Sequence, residues 1–187
     1  MPGDIIKHLQ EETGAVYFAP IAFGDSYQGY AVVGSSSAFV TQAGLIRPAE
    51  GRVFEAIREV VIGADVRLRL GETFVPLHGQ SRPGESGSGD EGEAGHKHEG
   101  FRYTVVGRMP RQGNPWDRAI IAPVEAVWRL HGLGTGHAEG KEQIGPPWEG
   151  GTVPDIPVIV VKPRSVADAY RLRAKYRTST TMALFPA

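Results

Sequence analysis

The residue types best suited to chemistry in this chain are histidines that surround a glycine-rich segment. His96 and His98 flank a single lysine, glutamates lie on either side of them, and His78 precedes the segment. Two imidazoles at alternate positions of an extended chain can share a cation, and carboxylates can complete its ligand set. We therefore predict a metal site that uses His96, His98 and His78, with zinc or another divalent cation as the bound ion. The competing interpretation is a solvated polar loop without selective binding, because a glycine-rich segment is poorly pre-organised.

The other polar residues have simpler interpretations. His131 and His137 could add metal ligands across space, but His131 ends a helical pattern and favours contact with the last helical carbonyls. Asp25 follows Gly24 in a predicted turn, where a short carboxylate bonds to its own backbone. The serines at 35–37 lack the Gly-x-Ser-x-Gly context of a nucleophile and are expected to cap a helix. We assign no catalytic residue and expect no enzyme; an enzyme with a dispersed site would require a cleft with titratable groups of shifted pKa.

Composition limits the classes of function. The 187 residues carry a formal net charge of −1, which gives no electrostatic footprint for nucleic acid. Hydrophobic residues make up 41% of the chain, enough for a packed core, and the absence of cysteine excludes disulfides and thiolate chemistry. No apolar run approaches the roughly 20 residues that span a bilayer, and the N-terminus lacks the pattern of a secretory signal. We expect either a natural soluble protein or a loop domain of a membrane protein.

Residues 60–123 are predicted to form the rigid core, a small antiparallel β-unit. Period-two alternation places Phe101, Tyr103 and Val105 on one face of its third strand. A short helical turn is expected at 63–71. Residues 79–100 contain only one apolar side chain, Ala94, and are predicted to be a mobile insertion. The strand-like runs of the core are 60–62, 73–77, 101–109 and 118–122.

The flanking segments are predicted to add helices and strands around this core. Asp4 can cap a first helix, a second helix at 124–131 ends at Gly132, and a third runs from Ser165 to about Arg177. Gly24–Ser26 is expected to be a turn, and the strand at 156–162 is expected to be buried on both faces. The C-terminal strand, helix and strand together predict a βαβ-like unit. The predicted flanking strands are 15–23, 27–34, 156–162 and 180–185.

A series of motifs in the middle of the chain resembles a known family. The motifs are Gly29–Gly34, Gly51–Arg52, Glu59–Val66, Arg69–Phe74, Phe101–Arg108 and Asp117–Pro123. Their order resembles that of the extracytoplasmic (periplasmic) core domain of ABC-transporter permeases of the MacB/LolC/FtsX type. The similarity covers residues 29–124 without a change of order, and it depends on the series rather than on any single motif.

The resemblance implies an α+β fold with two subdomains. Residues 1–34 and 153–187 would form a discontinuous, porter-like βαβ subdomain next to the membrane. Residues 35–152 would form an inserted, β-rich, Sabre-like subdomain that carries the mobile loop at 79–100. Two departures from the family pattern stand out: the loop at 79–100 is longer than usual, and the first βα half of the porter-like part is incomplete.

The resemblance also implies a function without catalysis. The parent protein would be a permease with four transmembrane helices, and this domain would lie on the periplasmic side of the inner membrane. ATP hydrolysis by a separate cytoplasmic ABC ATPase subunit would move the domain against an extracytoplasmic substrate or partner, such as a periplasmic protein or a lipoprotein. The parent permease could act as a homodimer. The alternative function is a soluble metal-binding module that uses the His-rich loop.

Overall fold

The computed structural model describes residues 1–78, 100–149 and 152–185. These residues form nine strands, four α-helices and one short 3₁₀ helix at Pro115–Arg118. The strands are β1 (Ala15–Tyr27), β2 (Tyr30–Ser35), β3 (Glu50–Gly51), β4 (Glu59–Ile62), β5 (Thr73–Phe74), β6 (Leu77–His78), β7 (Tyr103–Arg108), β8 (Ala119–Pro123) and β9 (Val158–Pro163). The helices are α1 (Ile5–Gln10), α2 (Ser37–Val40), α3 (Val124–Leu130) and α4 (Val166–Lys175).

The sheet is mixed, so the fold is α+β, as predicted, but the antiparallel arrangement predicted for the core is wrong. The main path of hydrogen-bonded strands is β3-β7-β4-β8-β2-β1-β6, while β5 pairs with β7 and β9 pairs with β1. Two of these pairs, β4 with β7 and β2 with β8, are parallel. The second strand of a parallel pair starts at the same end of the sheet as the first, so the connection must cross the length of the sheet. In both pairs the chain between the two strands is long enough to do so.

The predicted core strands at 60–62, 101–109 and 118–122 are confirmed as β4, β7 and β8. Tyr103 and Val105 of β7 are buried, and so is Phe101 two residues before the strand, as their alternation predicts. They belong to a core cluster that also contains Trp128 of α3. The predicted run at 73–77 is instead two short strands with different partners, since β5 pairs with β7 whereas β6 pairs with β1.

The first hairpin differs from the prediction in where it turns. Gly24–Ser26 was expected to be a turn, but these residues lie inside β1, which continues to Tyr27. The reversal falls one step later, at Gln28 and Gly29, whose positive φ angles of 50° and 81° suit a two-residue hairpin loop. The register of β1 on β2 shifts between Ala22 and Asp25, and this bulge places the Asp25 side chain in the interior.

Three further expectations about single elements fail. Strand β9 was expected to be buried on both faces, but it is exposed or half-buried along its length and pairs only with β1 among the described residues. No strand forms at 180–185. The helical turn expected at 63–71 is an irregular loop, which Arg108 holds by donating to the carbonyl oxygens of Val66 and Leu68 at 2.9 and 2.6 Å.

The capping predictions hold for the serines but not for Asp4, whose side chain makes no capping hydrogen bond at the start of α1. Ser36 accepts a hydrogen bond from the backbone N–H of Phe39 at the start of α2, and Ser165 accepts one from Asp168 at the start of α4. Helix α3 ends before Gly132, whose φ angle of 68° suits a helix terminus. None of the helices in the described part of the chain has the length and apolar character needed to cross a bilayer.

Candidate metal centre

Three residues that are distant in sequence meet at one end of the sheet: Asp25, His78 and His131. The antiparallel pairing of β1 with β6 sets Asp25 and His78 opposite each other as register partners. Helix α3 packs on β1, and its C-cap residue is His131, so the helix terminus delivers a second imidazole to the same place. The cluster is therefore fixed by backbone pairing and by the length of α3.

The side chains of the cluster are close enough to share a ligand. Nδ1 of His78 lies 3.7 Å from one carboxylate oxygen of Asp25, and Nε2 of His131 lies 3.4 Å from the other. One donor atom from each of the three residues lies within 4.8 Å of the others. The two imidazole rings meet edge to face, with centroids 5.0 Å apart.

Burial decreases across the cluster from the carboxylate outward. The side chain of Asp25 is fully buried, that of His131 is 22% exposed and that of His78 is 50% exposed. Gly24 leaves room beside the imidazoles, because a Cβ atom there would lie only 3.0 Å from Nε2 of His131. Burial raises the pKa of the Tyr103 phenol far above its ordinary range, and the negative charge of Asp25 adds to this effect. The carboxylate thus lies in the core beneath the imidazoles, with access from the side of His78.

The structure brings together only part of the predicted metal site. His78 belongs to the cluster, and His131 joins it as the sequence allowed. His96 and His98 lie outside the described residues, so the site predicted with them, and with it the soluble metal-binding module, stays a prediction. The interpretation of Asp25 as a turn residue is wrong, because Asp25 is a buried strand residue facing two imidazoles.

A second buried polar cluster has a structural role. Glu125 of α3, which is 1% exposed, accepts hydrogen bonds at 2.7 Å from the backbone N–H of Gly145 and from the indole N–H of Trp148. His137 lies beside the same carboxylate, with Nε2 3.5 Å from its oxygen. Gln10 of α1 accepts a hydrogen bond from the Trp148 backbone at 2.6 Å. These contacts fasten the segment 132–149 between α1 and α3.

A surface cleft of about 540 Å³ lies beside the β1–β2 turn. Its charged lining consists of Asp65, Arg67 and Arg118, and Asp65 already pairs with Arg111. Arg67 and Arg118 are exposed and Asp65 is half-buried, so the cleft faces solvent. This arrangement does not provide the enclosed acid and base groups that a general acid–base mechanism uses.

The residues that carry the family-like motifs stabilise the backbone. Gly107 lies so close to the segment before β4 that a Cβ atom would be 2.1 Å from the carbonyl oxygen of Arg52. Asp117 accepts hydrogen bonds from the backbone N–H groups of Gln112 and Gly113 at 2.9 and 2.7 Å, and these bonds lower its pKa. Arg52 and Glu59 form a two-pronged ion pair. These motif residues therefore stabilise the backbone arrangement of the fold.

That architecture is similar to the fold of an extracellular domain of an ABC-type transporter. The structure is similar to that of the extracellular domain of the noncanonic ABC-type transporter YknZ from Gram-positive bacteria, with a TM-score of 0.53 and 12% sequence identity. The similarity covers 99% of this chain and 89% of that one. The periplasmic region of MacB from Actinobacillus actinomycetemcomitans gives a TM-score of 0.46 at 12% identity, over 91% of this chain and 72% of that one.

No family model and no curated protein matches the sequence. At 12% identity, the structural similarity establishes the fold alone. The resemblance predicted from the series of motifs is confirmed as a similarity of fold. The division into residues 1–34 with 153–187 and residues 35–152 stays a prediction. Strand β1 pairs with β9 of the first region and, near its end, with β6 of the second.

Proposed function

We propose that this chain is the non-catalytic extracytoplasmic domain of an ABC-transporter permease. The observation that carries the proposal is the fold, which is shared with the extracellular domain of YknZ over nearly the whole of both chains. The motif residues support it, because Arg52, Glu59, Gly107 and Asp117 all contact backbone or each other. A domain that transmits movement needs such internal rigidity more than it needs reactive groups.

In this proposal, the domain couples ATP hydrolysis by a cytoplasmic ABC ATPase subunit to movement of a substrate or partner outside the membrane. The partner would be a periplasmic protein or a lipoprotein. The domain would lie on the periplasmic side of the inner membrane, and the parent permease would act as a homodimer. The long strand β1 is suited to carry force, since it is hydrogen-bonded to β2, β6 and β9 along different parts of its length.

The first test is the coding sequence that surrounds this chain. We expect an apolar helix of about 20 residues on each side, the length that spans a bilayer. A complete reading frame without such helices would contradict the assignment to a permease, whatever the fold of the chain.

The second test addresses coupling. The chain contains no cysteine, so spin labels can be attached at single introduced cysteines in the intact transporter. Leu45 and Leu133 are exposed and lie in different parts of the fold. We expect the distance between labels at Leu45→Cys and Leu133→Cys within one chain to stay constant through the ATP cycle, while the distance between copies of the chain changes. A change within the chain and none between copies would refute the rigid-lever mechanism.

A further inference from the structure

We infer that Asp25, His78 and His131 form a binding site for a divalent cation, with Zn²⁺ as the ion that suits the donor set. The site shares His78 with the one predicted from the sequence, but its other ligands are Asp25 and His131 in place of His96 and His98. Its existence does not depend on the function proposed for the domain.

The spacing of the donor atoms fits a metal ion. A tetrahedral zinc ion with bonds of about 2.0–2.2 Å holds its ligand atoms roughly 3.3–3.5 Å apart. The two imidazole nitrogens lie 3.4 and 3.7 Å from the Asp25 oxygens, and all three donors lie within 4.8 Å of one another. The three side chains are thus close enough for one ion to reach a donor atom of each.

The burial and charge of Asp25 also favour a cation at this site. A fully buried carboxylate requires a compensating positive charge or hydrogen bonds, and the Asp25 side chain is wholly removed from solvent. Two imidazoles and the Tyr103 phenol lie around it. A divalent ion bound by the three ligands would place its positive charge against the buried carboxylate.

The site is open on one side. His78 is half exposed, so an ion can enter there and keep a fourth position for water or another ligand. Because the ligands come from β1, from β6 and from the end of α3, a bound ion would join three elements that are distant in sequence. Binding to the folded state alone then stabilises the fold by mass action.

The test is titration of the whole chain with Zn²⁺ by calorimetry and with Co²⁺ by visible absorption, which reports the coordination of the ion. We expect one ion per chain at this site and a four- or five-coordinate Co²⁺ spectrum. Asp25→Asn, His78→Ala and His131→Ala should each weaken binding by at least about tenfold, an effect that even the loss of an outer partner of a metal ligand can cause.

Two control variants make the experiment selective. His8→Ala removes an exposed imidazole of α1 and should leave binding unchanged. The double variant His96→Ala/His98→Ala should retain the Co²⁺ spectrum. If that double variant loses binding while the three cluster variants bind like the wild type, the inference is overturned in favour of the His-rich loop. Equal binding by Asp25→Asn and wild type would also overturn it.

A measurement on the wild type covers the case in which a cluster variant fails to fold. Zn²⁺ should slow amide hydrogen exchange at the end of β6 and at the end of α3, because the ion joins them to β1. Exchange that is unchanged by Zn²⁺ in both segments would refute the site. Either negative result would leave the proposal of a transporter domain intact, since that proposal depends on the fold and on the flanking helices.

Discussion

At the scale of single residues, Glu59 shows how one carboxylate fixes a turn. It forms an ion pair with Arg52, whose Nη1 donates at 2.7 Å, and accepts backbone hydrogen bonds from Glu55 at 2.8 Å and Ala56 at 3.2 Å. The Arg52 guanidinium, followed by the backbone N–H groups, lowers the pKa of Glu59 from 4.5 to about 2. A lowered pKa in the folded state means that the ionised form stabilises the fold above pH 4.5 and that this contribution is lost as the pH falls toward 2.

We predict that Glu59→Gln lowers the free energy of unfolding by about 1 kcal/mol at pH 7, a small value because Arg52 is 46% exposed and water screens the pair. The difference from the wild type should shrink as the pH falls from 4.5 to 2, and urea unfolding at several pH values measures it. Glu55→Gln is the matched control, since Glu55 is 77% exposed and 3.8 Å from Arg52. An equal effect of both variants, or a difference that does not depend on pH, would contradict this assignment.

The candidate metal centre was only partly predictable at this scale. Histidine is a common metal ligand wherever it occurs, so His78 and His131 could be named from the sequence. Asp25 could not, because Gly24 beside it is typical of a turn, and nothing local reveals that β6 pairs there. The bulge that turns the carboxylate inward depends on the register between β1 and β2. Such a register depends on contacts between distant parts of the chain, which the local sequence does not reveal.

At the scale of elements, the contact between β7 and the segment before β4 depends on glycine. The backbone N–H of Arg52 donates to the carbonyl oxygen of Val106 at 3.0 Å, and Gly107 pairs with Gly51 of β3. A Cβ atom on Gly107 would lie 2.1 Å from the carbonyl oxygen of Arg52, a distance that no side chain can occupy. The obstacle is backbone, so it cannot rotate away.

We therefore predict that Gly107→Ala lowers the free energy of unfolding by about 3 kcal/mol or more, at the upper end for overpacking. Chemical denaturation monitored by circular dichroism measures the change. Gly113→Ala is the matched control: its Cβ atom would meet nothing within 4 Å, and only its φ angle of 71° opposes the substitution, which should cost about 1 kcal/mol. If Gly107→Ala costs no more than Gly113→Ala, the close approach of the two backbones is not a constraint.

Local patterns predicted the elements better than they predicted their pairing. The alternation of Phe101, Tyr103 and Val105 and the capping serines at 36 and 165 are local signals, and the structure confirms all of them. The direction of β4 relative to β7 is set by the path of the intervening chain, which composition does not encode. The apolar run at 156–162 suggested a buried strand, but β9 lies at an edge, where its apolar side chains stay partly exposed.

At the scale of the whole molecule, burial is unevenly distributed over the sheet. Strand β8 is buried along its whole length, and β4 is buried at three of its four positions. Strand β9 pairs with one neighbour among the described residues, and Leu172 is the one buried residue of α4. Local opening free energies follow buried contact area and backbone pairing. The half of the molecule that contains β9 and α4 is therefore expected to open first.

We predict that amide hydrogens of β4, β7 and β8 exchange at least about tenfold more slowly than those of β9 and α4, a difference of about 1.4 kcal/mol in opening free energy. Native-state hydrogen exchange followed by mass spectrometry measures it without any substitution. Strand β1 provides an internal control, because its first half pairs with β9 and its last residues pair with β2. The amide hydrogens in its first half should exchange at rates similar to those of β9, and those at its end at rates similar to those of the central strands. Uniform protection along β1 would show instead that the sheet opens as one unit, in which case force applied at β9 would pass to β4 and β8 without a weaker step between them.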